Sequence, residues 1–212
     1  MATRFNRRLT GQLQQPGKRP VSAEFIQESQ TLYDDLRFPA SAFNPPGLAS
    51  DPDFDTTNGG FLFAAAGTEL VFVSAQLPHG WYEGSILTPH VHWQKTSSAG
   101  GNVVWEFAYK WAPIGEAMDA AFTTITADAP VPTTPDNDTA DEHLITSFGD
   151  DILDPAGKQI SDMIMMKLSR LGDHEDDTYG ADVRLLEFDI HYEIDAFGSA
   201  HQFTKIHHTA RI

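Results

Sequence analysis

There is no cysteine among the 212 residues, which excludes disulfide frameworks, thiolate metal sites and thiol nucleophiles together. Basic residues are scarce: 14 Lys+Arg stand against 30 Asp+Glu, a formal net charge of −16. Long apolar runs are missing too. The longest, Phe61 to Ala66, is far short of the roughly 20 residues that cross a bilayer as a helix, which argues against a membrane partner. The opening Met1 to Arg8 lacks the apolar stretch of a signal peptide, so the chain is expected to be soluble and without an export signal. What is present suits a folded domain. Hydrophobic residues make up 41%, enough for a core, and the length fits one all-β domain with or without an arm.

The charge is unevenly spread. Residues 1–20 hold Arg4, Arg7, Arg8, Lys18 and Arg19 with no acid, a net of +5. The rest of the chain carries 9 basic and 30 acidic side chains, a net of −21. So acidic a body repels phosphate backbones, which argues against nucleic acid as its partner. The same basic segment also contains Gln12, Gln14, Gln15, Pro16, Gly17 and Pro20, a composition that packs poorly by itself. It reads either as a solubilising terminus or as an extended arm that docks on the acidic surface of a neighbouring subunit. Residues 1–32 are therefore expected to be an arm and 33–212 a single β-domain. A short helix is expected over 22–33, because Phe25, Ile26, Leu32, Tyr33 and Leu36 follow Ser22 with partly helical spacing.

From Gly59 onward the period is two. Strands are expected over 68–77, 86–94, 101–112, 121–127, 143–148, 160–171, 183–194 and 200–207, with Asp128–Asp141 and Gly172–Asp182 as loops. Pro89 points to an edge or a bend in its strand. The clearest alternation is Val103, Trp105, Phe107, Tyr109 and Trp111, which reads as the stripe of a sandwich core; a sugar-binding aromatic platform is the alternative. Eight or nine strands with no βαβ rhythm indicate an antiparallel β-sandwich or jelly roll.

One segment has the spacing of a metal site. In Gly84-Ser85-Ile86-Leu87-Thr88-Pro89-His90-Val91-His92-Trp93, the two histidines lie two apart on an expected strand and share a face. The spacing resembles the first half of the cupin metal motif. The expected glutamate is absent, with Gln94, Lys95 and Thr96 in its place, and no second motif follows. A divalent transition metal on His90 and His92 would need a third ligand, His191 or His79. His191 shares a face with Asp189, Glu193 and Asp195, while Phe188, Ile190, Tyr192 and Ile194 form the core side. The alternative is a polar face on which histidines pair with carboxylates. Asp173-His174-Glu175-Asp176-Asp177 lacks EF-hand spacing, and there is no Gly-x-Ser-x-Gly or phosphate-loop motif. No catalytic residue or cofactor is expected, and the chain reads as no enzyme.

Four ordered blocks resemble a family of tailed-bacteriophage proteins: Asp34-Asp35-Leu36-Arg37-Phe38-Pro39; Gln76 to Gly84 leading into Pro89-His90-Val91-His92-Trp93; Val104 to Gly115; and Leu185 to Ser199. Together they span about residues 33 to 205. Members of that family are mostly described as uncharacterised or structural. The resemblance implies a virion protein made in the host cytoplasm, most simply a head-decoration subunit. It is expected to self-associate, with a trimer favoured, and to bind other virion proteins through Arg4, Arg7, Arg8, Lys18 and Arg19. The first alternative is a tail, collar or fibre component that contacts a receptor or glycan through Trp81 and Tyr82; the second is the cupin-like metalloprotein.

Overall fold

A run that alternates aromatic and polar residues buries its rings only if the backbone is extended, because side chains two apart project to the same face of a strand. In the computed structural model, which describes residues 31–132, 140–149 and 153–205, this aromatic stripe forms the inner face of a long strand, β6 (Gly101–Ala112), and Val103, Trp105, Phe107, Tyr109 and Trp111 are all buried.

Ten strands are present among the described residues. β1 (Leu32–Pro39) and β2 (Asp53–Phe54) precede an eight-strand unit: β3 (Phe61–Phe63), β4 (Thr68–Gln76), β5 (Leu87–Lys95), β6, β7 (Thr123–Val131), β8 (His143–Ser147), β9 (Met163–Leu171) and β10 (Val183–Ile194). One sheet runs β3-β10-β5-β8 and the other β4-β9-β6-β7, with antiparallel pairing throughout. Within the eight-strand unit the chain changes sheet at every connection except the β6–β7 hairpin. This order is two Greek keys folded on each other, a jelly roll. β2 pairs with β3, and β1 pairs with β10 from Leu32↔Ile194 to Pro39↔Glu187, giving the first sheet six strands.

The two inner faces meet through aromatic contacts. Phe107 stacks on Phe188 of the opposite sheet at 5.0 Å, and Trp105 meets Phe63 at 5.3 Å and Trp93 at 6.1 Å. Such pairs contribute about 0.5–1.5 kcal/mol each beyond the area they bury. One charged pair is fully enclosed. Arg170 on β9 makes a two-point contact with Asp177 and donates to the carbonyls of Phe63, Tyr179 and Ala181, fastening the 172–182 loop over one end of the sandwich.

Several expectations are corrected. Most of the helix expected over 22–33 lies outside the described residues, as do Arg4, Arg7, Arg8, Lys18 and Arg19. Leu32, Tyr33 and Leu36, however, belong to strand β1. β10 offers a free edge there, and pairing with it turns Leu36 and Phe38 inward and Asp35 and Arg37 outward. The paired body thus begins at Leu32, one residue before the expected boundary. Pro89 lies on an inner strand. Its carbonyl accepts from Phe148 N–H, so its missing N–H falls on the last rung of the β5–β8 ladder, where little pairing is lost. The strand expected over 200–207 is irregular from Ala200 to Lys205. β7 continues to Val131, inside the expected 128–141 loop.

Candidate functional site

The outward face of the six-stranded sheet collects the polar side chains of β1, β10, β5 and β8. On β5, Val91 and Trp93 fill the core, so the alternation sends His90 and His92 outward. The β5–β10 register sets His90 opposite Asp189, and a bulge between Leu185 and Glu187 sets His92 opposite Glu187. The two imidazoles share one carboxylate. His90 Nδ1 donates to Asp189 Oδ1 at 3.1 Å and His92 Nε2 to Asp189 Oδ2 at 2.8 Å. His143 on β8 completes the row, its ring 5.1 Å from that of His92 and its Nε2 3.0 Å from His92 Nδ1. At the His92–His143 contact one ring donates and the other accepts.

Asp189 is only 6% exposed, and burial pushes its carboxyl up. The hydrogen bond from His90 and the charges of His92 and His90 outweigh burial, holding it below the usual aspartate range. Beside it, Arg37 makes a two-point contact with Glu187, which keeps the guanidinium firmly protonated. At the far side of β10, His191 Nδ1 bonds Asp35 at 2.7 Å, and Tyr33 stacks on the His191 ring at 4.7 Å. The face thus carries three cross-strand clusters: His90, His92 and His143 with Asp189; Arg37 with Glu187; and His191 with Asp35 and Tyr33.

The sequence-predicted residues are placed as follows. His90, His92 and Asp189 come together. His191 turns away to Asp35, its ring centroid 6.1 Å from that of His90, so the expected ligand set His90, His92 and His191 does not converge. All three imidazoles are already hydrogen-bonded, His90 and His92 to Asp189 and His191 to Asp35. Among the described residues, no group of three or more His, Cys, Asp or Glu side chains is arranged to hold a metal ion. His79 sits elsewhere, between Ser161 and Ser199 in the loops beyond β4 and β10. Trp81 is 0% exposed and bridges to Ile194, which corrects the expectation that it forms a surface contact, whereas Tyr82 is exposed. The aromatic stripe of β6 is core and no sugar platform. Sequence reasoning missed His143 and the Arg37–Glu187 pair, both set by cross-strand register. The only advance signal for His143 was its place at the head of an expected strand.

No family model matches the chain, and no curated protein matches it. Among solved structures, a similar one is the CBM35 from Cellvibrio japonicus Abf62, at 11% identity over 74% of this chain and 92% of that one, with a TM-score of 0.41. So distant a likeness carries nothing about function.

Proposed function

We propose that this chain is a structural subunit of a tailed-bacteriophage virion, without catalytic activity, that decorates the head and associates with copies of itself and with other virion proteins. One observation carries the reading. Three of the four sequence blocks that carry the phage resemblance are adjacent in space: β1, β5 and β10 are consecutive neighbours in one sheet. Their outward side chains are paired across the strands by ion pairs and hydrogen bonds, so the three blocks build one polar face together. The net charge of −16 keeps free subunits apart before assembly. The basic segment at residues 1–20 supplies the opposite sign for a neighbour's acidic surface.

The test is mass spectrometry of purified virions with quantitation against a known capsid component. Multiple copies of the chain per particle support the proposal, and fractionating capsids from tails separates a head location from a tail or collar one. A particle proteome that lacks the chain overturns it.

A further inference from the structure

Six of the ten large apolar side chains that are exposed among the described residues fall in the connections after β4, β6 and β10. Tyr82 lies in the β4–β5 loop, Ile86 just before β5, Ile114 and Met118 in the β6–β7 loop, and Phe197 and Phe203 after β10. All six are at least 44% exposed, and Phe197 reaches 86%. In a jelly roll these connections emerge at one end of the sandwich. Together with the described residues of the β8–β9 connection, which leave from the same end, they are also bonded to one another. Tyr82 N–H donates to Glu193 O, Asp195 N–H to Gly80 O, Ile114 N–H to Asp162 Oδ1, Ile160 N–H to Glu83 Oε1, and Ser161 Oγ to Gln202 O. A set of large apolar side chains gathered at one end marks a surface built for contact.

The charge around it has one dominant sign. The described residues of these loops and of 193–205 contribute Glu83, Glu116, Asp119, Asp154, Asp162, Glu193 and Asp195 against Lys158 and Lys205. Lys205 is engaged with Asp195 and the Trp81 carbonyl, and Lys158 lies over the Trp111 ring. Exposed apolar side chains mixed with a surplus of acids disfavour contact with the same end of another copy and favour a partner that is both apolar and basic. Residues 1–20 have that composition: Phe5, Leu9 and Leu13 stand among Arg4, Arg7, Arg8, Lys18 and Arg19.

We propose that this loop end is the docking surface for residues 1–20 of a second copy of the chain, with Phe197, Met118 and Tyr82 at its centre and Glu116 and Asp154 on its rim. This deepens the self-associating reading above and rests on it. The segment before Leu32 is long, since 31 extended residues span about 100 Å.

Sedimentation velocity and native mass spectrometry of the full chain test it, with Phe197→Ser at the centre, the pair Arg7→Glu and Arg8→Glu on the arm, the pair Glu116→Lys and Asp154→Lys on the rim, and Ile145→Ser on β8 as a control. Circular dichroism and cooperative melting verify that each variant folds; should Phe197→Ser fail, Met118→Ser reads the same surface. The expected result is an oligomer that weakens with added salt. Its dissociation constant rises at least ten-fold on Phe197→Ser and on either charge reversal. It recovers in part when the two reversals are combined and is unmoved by Ile145→Ser. A protein that stays monomeric, or an oligomer indifferent to Phe197→Ser and to both reversals, overturns the docking. Absence of the chain from virions would strike the virion reading and leave an arm-dependent oligomer standing.

Discussion

Asp189 holds His90 on one carboxylate oxygen and His92 on the other, locking β10 to β5 on the outer face of the six-stranded sheet. Replacing Asp189 with Ala leaves two half-buried imidazoles without their acceptor and is expected to cost roughly 1–2 kcal/mol. The pH dependence has a definite sign. The folded carboxyl titrates below the usual aspartate range. Its contribution is therefore complete above the ordinary aspartate pKa of about 4, and disappears as pH falls through the lower folded value. Urea unfolding of the native protein and Asp189→Asn should show a gap near neutral pH that narrows in acid below about pH 4. An unchanging gap would separate the pair from the stability.

The enclosed Arg170–Asp177 pair sets a larger effect. Arg170 satisfies one carboxylate and three backbone carbonyls at once, and both charged side chains are fully buried. Arg170→Ala strands Asp177 in the interior and should cost about 3–5 kcal/mol, enough to lower the urea midpoint severely. Arg170→Lys keeps the charge but loses the planar fork and should recover only a minor part.

Tyr192 gives a spectroscopic prediction. Burial, then the charge of Asp34 and the hydrogen bond to it, push its phenol up to about 12. A raised folded pKa means that the fold favours the neutral phenol. That contribution is intact below about pH 10, where a free tyrosine ionises, and is lost as pH climbs toward the folded value. Phenolate absorbance should show a late-titrating step that Tyr192→Phe removes.

Gly60, in the turn into β3, has φ +90, and a Cβ there would sit 2.3 Å from the Leu185 carbonyl oxygen. Gly60→Ala combines a left-handed backbone with a backbone collision beside the β10 bulge. A loss of more than about 2 kcal/mol in chemical denaturation is expected, since the nearest atom is a backbone carbonyl oxygen that cannot swing away.

Much of this molecule is legible in its sequence where the period is strict. β6 and β10 run over the expected residues because one face alternates aromatic or aliphatic and the other polar. The same alternation places His90, His92 and Asp189 on one outward face, but only strand register shows that His191 belongs to Asp35 and His143 to His92. Period and propensity fail where tertiary contact decides. Leu32 to Leu36 has partly helical spacing, yet the free edge of β10 makes it a strand. Trp81 sits in a Pro- and Gly-punctuated loop that looks like an exposed tip, but its bridge to Ile194 folds the indole inward. Ile114, Met118 and Phe197 lie in loops with no period at all, and only the jelly-roll connectivity gathers them at one end.

The proposal that this chain is a virion subunit is tested most directly by a cryo-electron microscopy reconstruction of the intact phage particle. The account predicts a jelly-roll density on the head, with the β4–β5 and β6–β7 loops facing an adjacent subunit. A complete reconstruction in which no density accommodates this fold would contradict it.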